Sequence, residues 1–249
     1  MFQKNSFRKQ FFSKIMLIKI FSLSLMIGAL SFSVHSQESA ASGGKTSVSM
    51  NRAMDAGKTV SDSDAVKNAL KAGTKMPVFK LKDATGKTVG SDDLLKQGNL
   101  VVVFYRGSWC PFCNLYLRNL QKNLAQIKEA GGNLVAISVE NPDNSLTVAK
   151  KNELNFTVLS DPALIVARKF GIVYQMPKET DELYKSHGLD VAKHNEMERA
   201  ELPLAATYVV NRNGEIFYAF LESDYKKRAE PETIIETLLK IKSPAIKKH

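Results

Sequence analysis

Leu100-Val101-Val102-Val103-Phe104-Tyr105-Arg106-Gly107-Ser108-Trp109-Cys110-Pro111-Phe112-Cys113 decides how this chain is read. The apolar run Leu100 to Tyr105 has the pattern of a strand buried on both faces. Cys110 and Cys113 follow it, two residues apart, and they are the only cysteines in the sequence. The strand therefore delivers a dithiol to the start of a helix. A thiol there meets unpaired backbone N–H groups and the positive end of the helix dipole, both of which favour the thiolate. The thiolate is the reactive form, and a Cys-x-x-Cys motif commonly lowers the pKa of its first thiol. The second thiol lies within one helical turn and is placed to close a disulfide on the first.

Three plainer readings of the pair compete with redox chemistry. As a staple it would close so small a ring that little chain entropy is removed. As half of a structural zinc site it lacks partners, since such sites take four ligands and His35, His187, His194 and His249 are far away in sequence. As buried core residues the cysteines would be inert. Cys-x-x-Cys beside a strand–helix pattern favours redox chemistry over all three.

Composition sets wider bounds. The chain has 249 residues, 44% hydrophobic and 24% charged, which is ample for one sizeable domain. Half of its formal charge of +10 comes from Lys4, Arg8, Lys9, Lys14 and Lys19. These precede the apolar stretch Ile20 to Val34 and the small residues around Ser36, so residues 1–36 read as a secretory signal peptide. Met16 is an alternative start, since Met16 to Ser36 makes a compact signal by itself. The apolar run is short for a membrane span and is diluted by serines. Export, to a bacterial periplasm, would place the dithiol in an oxidising compartment. No basic stripe interleaved with aromatics points to nucleic acid.

Residues 37–72 read as a flexible Ser/Ala/Gly-rich tether with a short helix over Asp62 to Ala72. Residues 73–243 read as one domain and 244–249 as a solvated tail. Val78 to Lys82 alternates like a half-buried strand, and Asp83 to Gly86 is a turn. The segment after the dithiol has helical spacing as far as Gly131-Gly132. Leu134 to Val139 and Phe156 to Leu159 read as strands, with a helix over Leu146 to Leu154 between them. Asp161-Pro162 opens another helix. Asn211-Arg212-Asn213-Gly214 signals a hairpin between Ala206–Val210 and Ile216–Phe220, and a terminal helix follows. An insertion near 175–200 reads as polar helix over the surface. Its His187, His194, Glu196 and Glu198 make a metal site conceivable, but an exposed polar face is the commoner arrangement.

This order of elements around Trp-Cys-x-x-Cys resembles the thioredoxin superfamily, and within it the peroxiredoxin branch (alkyl hydroperoxide reductase and thiol-specific antioxidant proteins). The residues behind the resemblance are Gly73, Pro77, Phe79, Leu81, Asp83 and Gly86, then Phe104 through Leu115, Ser160-Asp161-Pro162, and Ala206 through Asn211. It covers about 73–241. It implies an α/β thioredoxin-like fold, a central mixed β-sheet flanked by helices.

The resemblance also implies a thiol peroxidase. Cys110 would attack a hydrogen or organic peroxide and become a sulfenic acid, and Cys113 would resolve it as a disulfide. Thioredoxin or a similar dithiol would re-reduce the pair. No metal or organic cofactor is implied, and a homodimer is compatible with the branch. Peroxiredoxins place a threonine three residues before the peroxidatic cysteine, and counted from Cys110 that position is Gly107. They also supply an arginine to the thiolate. None stands at Leu204-Ala205-Ala206, so Arg106 is the candidate. Ser108 and Tyr105 are candidates for hydrogen-bonding the peroxide. Thioredoxin-like reductases carry a cis-proline where this chain has Ala205, with Pro203 two residues earlier. The alternative function is an exported thiol–disulfide oxidoreductase acting on protein disulfides.

Overall fold

The computed structural model describes residues 63–242. The predicted signal peptide, the tether before Ser63 and the tail after Lys242 lie outside the described residues. A short helix, α1 (Ser63–Asn68), leads into β1 (Lys80–Asp83), β2 (Thr88–Gly90) and α2 (Ser91–Gln97). The turn between β1 and β2 is built by Asp83, whose Oδ1 accepts from the Thr85 and Lys87 backbone N–H groups. Next come β3 (Asn99–Phe104), α3 (Pro111–Lys122), α4 (Leu124–Glu129) and β4 (Gly132–Ser138). They are followed by α5 (Pro142–Lys151), β5 (Thr157–Ser160), α6 (Ile165–Lys169) and β6 (Val173–Gln175). The last elements are α7 (Lys178–Ser186), α8 (Val191–His194), β7 (Glu201–Pro203), β8 (Thr207–Val210), β9 (Ile216–Phe220) and α9 (Pro231–Lys242).

The main sheet has the order β2-β1-β5-β4-β3-β8-β9. It is mixed: β3, β4 and β5 run parallel, and the pairings outside them are antiparallel. β3 lies between β4 and β8, with Val103 paired to Ala136 on one side and Thr207 on the other. Its side chains alternate between two packed faces, as the period of a strand requires. Leu100, Val102 and Phe104 join the apolar cluster that includes α1 and α6 residues. Val101 and Val103 pack with Leu120, Ile127 and Leu238 of the helices on the opposite face. Tyr105 continues that second face, beneath α3, beside both cysteines.

Several elements differ from the sequence reading, which assigned nothing to β2 or α2. The helix after the dithiol breaks at Asn123, whose side chain bonds back to the Asn119 carbonyl, so two helices replace one. The helix opened by Asp161 starts at Ile165, because the Asp161 carboxylate reaches over the intervening turn to accept from Val166 and Ala167. α1 ends at Asn68 and belongs to the domain, since Ala65 and Ala69 are buried in its core. The insertion is not laid over the surface. Met176, Tyr184, Leu189, Val191 and Ala200 are buried in the main cluster, and β6 pairs with β7 on either side of it. Its polar residues face outward from an apolar stripe, which is why composition alone reads as surface. Pro203 pairs with Val173 in this small sheet, and the peptide bonds of the described residues are trans.

Gly171 joins α1 to the domain. Its φ is +71°, and a Cβ there would run into the Asn68 backbone. Gly171→Ala is expected to lower stability by about 1–3 kcal/mol. Urea denaturation of the two proteins checks this, and an unchanged midpoint would contradict it.

Candidate active site

The end of β3 is held on both sides. The Phe104 N–H donates to the Ala206 carbonyl at 2.8 Å and the Tyr105 N–H to the Ile137 carbonyl at 3.0 Å. The chain then turns through Gly107, whose φ is +141°. A Cβ at Gly107 would lie 2.5 Å from Trp109 Nε1 and 3.2 Å from the Glu140 carboxyl carbon. Glycine is therefore required by the fold, and a threonine has no room there. Cys110 is the N-cap of α3, and Pro111 occupies a first-turn position where its missing N–H costs nothing.

Both cysteines are buried free thiols. They pack with Tyr105, Leu117, Ala136, Val148 and Val158, with Trp109 and Phe112 against them. Arg228, in the segment before α9, brings Nη2 to 3.5 Å from Cys113 Sγ. Burial pushes the Cys110 thiol up, and its hydrogen bond to the Cys113 sulfur holds its proton further. Burial also opposes ionisation of Cys113. There the hydrogen bond from Cys110 and the Arg228 and Arg106 charges act the other way and lower its pKa. The Arg228 contact is thus to Cys113, three residues further into the helix than the capping thiol Cys110.

Arg106 is fully buried, in a cage of aromatic rings. Its guanidinium carbon lies 4.1 Å from the centre of the Tyr225 ring and 5.0 Å from that of Trp109. Nη2 donates to the Tyr184 hydroxyl at 3.2 Å, while Nε and Nη1 have no hydrogen-bond partner among the described residues. A buried guanidinium without a carboxylate favours a nearby anion strongly. Cys110 is among the ionisable groups that act on it, with Tyr174 and Tyr184.

Two networks hold the loop between β3 and α3. Glu140, buried at the end of the segment after β4, accepts from the Ser108 N–H at 2.7 Å and from its hydroxyl at 2.6 Å. His194 of α8 lies 2.8 Å from the same carboxylate through Nε2. On the other side Asn114 Nδ2 donates to the Ser108 and Cys110 carbonyls. Its own Oδ1 accepts from Asn152, which in turn accepts from Arg118.

The structure therefore gathers Cys110, Cys113, Arg106, Ser108 and Tyr105 into one place. The Ser108 hydroxyl donates to Glu140 and so holds the loop through that carboxylate. Tyr105 is a core residue beneath the cysteines, and burial, reinforced by the Glu140 charge, raises its pKa and keeps it protonated. The insertion histidines do not converge. His187 bonds within its own helix end and His194 pairs with Glu140, and no metal-binding group of three or more ligands occurs among the described residues. Sequence reasoning missed Arg228, Glu140, Asn114 and Tyr184. An asparagine on the buried side of α3 and a glutamate ending a buried strand were the available signals, while Arg228 carried none.

Comparison with known proteins agrees with this architecture. The AhpC/TSA family model matches residues 72–219, a span that ends before Arg228. Peroxiredoxin Bcp of Escherichia coli is 36% identical over 105 residues, which cover 42% of this chain and 67% of that protein. Chloroplastic peroxiredoxin Q of Populus jackii is 28% identical over 187 residues, 74% of this chain and 75% of its own. Among solved structures, peroxidoxin BcpB of Mycobacterium tuberculosis superposes with a TM-score of 0.57. It is 20% identical and covers 70% of this chain and 99% of that one. PrxQ of Xylella fastidiosa gives 0.53 at 14% identity, covering 70% and 96%. These structures share the thioredoxin-like fold with this chain.

The Glu140 hydrogen bond raises the His194 pKa above its usual 6.5. A raised histidine contributes stability below its unfolded pKa and loses it as the pH climbs through the folded one. The stability difference between the wild type and His194→Gln is therefore expected to shrink as pH rises from about 6 to about 9. Comparing two proteins cancels the cysteine titration. Parallel stability curves from urea titrations at each pH would contradict the pairing.

Proposed function

The chain belongs to the AhpC/TSA family, and from that premise we propose that its dithiol reduces peroxides with Cys113 as the attacking thiolate and Cys110 as the resolving thiol. The curated relatives are peroxiredoxins, which makes this chain an oxidoreductase of the thiol-dependent peroxidase class. The observation that carries the finer reading is the 3.5 Å contact between the Arg228 guanidinium and the Cys113 sulfur. The resemblance supports it in a second way. Counted from Cys113, the position that peroxiredoxins fill with threonine is Cys110, so the resolving thiol stands in that place.

In this mechanism the Cys113 thiolate attacks one peroxide oxygen. The S–O bond forms as the O–O bond breaks, and the departing oxygen leaves as water or an alcohol after taking a proton. Arg228 holds the thiolate and faces the charge that develops on the departing oxygen. Cys110 then attacks the Cys113 sulfenic acid, forming the disulfide and releasing water. A thioredoxin-type dithiol restores both thiols by two successive exchanges. The opposite order, with Cys110 attacking, is what the cap position alone suggests. It requires ionising the thiol that burial and its neighbour hold protonated.

The order is tested by trapping the sulfenic acid. Cys110→Ser is expected to consume one equivalent of peroxide and to carry a probe adduct on Cys113. Cys113→Ser is expected to lose the fast peroxide step. An adduct on Cys110 of the Cys113→Ser protein, formed as fast as in the wild type, would restore the opposite order. No adduct in either protein would turn the reading toward exchange with protein disulfides in an exported oxidoreductase. Arg228→Gln is expected to slow the peroxide step by about ten- to a hundredfold near neutral pH, with partial rescue by Arg228→Lys. A rate within twofold of wild type would remove Arg228 from the mechanism.

A further inference from the structure

Beside the dithiol, between α3 and the segment that carries Arg228, runs a groove of about 320 Å³. Phe112, Leu115 and Tyr116 give it an apolar floor, and Leu115 is 60% exposed although it belongs to a packed helix. Its rim is charged. Arg118 and Lys122 project from α3, and Lys226 and Arg228 from the facing segment, against Glu230 as the lone carboxylate of the lining. Lys226 lies over the Phe112 ring, 5.6 Å from its centre. At the inner end Arg228 reaches both the Tyr116 ring, at 5.8 Å, and Cys113 Sγ, at 3.5 Å. The groove is thus connected to the reactive sulfur by one side chain.

We propose that this groove is the docking face for the protein that re-reduces the enzyme, and that this partner is an acidic dithiol protein. The proposal rests on the peroxidase reading, because it names the partner of the same two sulfurs. An apolar floor inside a basic rim suits a partner that presents an apolar residue beside its dithiol within an acidic surface. A small peroxide needs no such surface. The exchange itself is balanced. One partner thiolate attacks a sulfur of the Cys110–Cys113 disulfide, an S–S bond forms to the partner as the internal one breaks, and the expelled sulfur takes a proton. The partner's second thiol then attacks the mixed disulfide and frees the enzyme. Two electrons pass to the enzyme and the partner leaves as a disulfide.

The test begins with the enzyme disulfide made by a small disulfide oxidant, so no peroxide step is involved. Its reduction is followed with a thioredoxin of net negative charge and, separately, with dithiothreitol. The variant is Lys122→Glu with Lys226→Glu, two exposed lysines outside the reacting groups. Charge reversal is expected to slow reduction by the acidic protein about tenfold or more, and added salt to slow the wild type in the same direction. Dithiothreitol rates should stay within twofold. A protein-reductant rate that ignores both changes would overturn the proposal, and so would dithiothreitol rates that fall in step. A missing peroxide burst with intact charge-dependent reduction would reject the peroxidase reading alone.

Discussion

A thiolate sealed inside a protein must be matched by positive charge that is itself held in place. In the proposed reading that thiolate is Cys113, and two guanidinium groups supply the charge. Arg228 touches its sulfur, and Arg106 sits fully buried among aromatic rings with no carboxylate partner among the described residues. Their combined field, together with the Cys110 hydrogen bond, overcomes the burial that would otherwise keep both thiols protonated. Much of the surrounding structure serves to keep those groups where they are. Tyr184 of α7 accepts from Arg106, and Tyr116 of α3 donates to the Ala229 carbonyl next to Arg228.

The loop that carries the dithiol is fixed from two directions. Glu140 holds Ser108 from the end of β4, and Asn114 holds the Ser108 and Cys110 carbonyls from within α3. Between them Gly107 passes where no side chain fits. The reacting sulfurs are therefore positioned by hydrogen bonds from rigid elements, and the insertion contributes through His194 and Tyr184. The segment over 178–194 is thus part of the site's walls, although nothing in its composition separates it from a solvated surface helix.

Much of the fold was legible in the order of residues. The run from Leu100 to Tyr105, the hairpin at Asn211 to Gly214 and the strand from Leu134 are strong local patterns, and each became the expected element. Local pattern failed where a single side chain redirected the backbone, as at Asn123 and Asp161. The site was legible as far as the dithiol and Arg106. It was not legible at Arg228, which lies 115 residues from Cys113 in sequence and meets it only through the fold. The relative acidity of the thiols was likewise out of reach, since a capping position favours Cys110 while tertiary charge favours Cys113.

The most direct measurement is the site of alkylation when the reduced protein meets a limiting amount of iodoacetamide at about pH 7, below the pKa of an ordinary thiol. Peptide mapping identifies the modified residue. The account predicts a carbamidomethyl group on Cys113, with Cys110 reacting only after denaturation. Preferential labelling of Cys110 would contradict it, and would mean that the helix cap outweighs the two arginines.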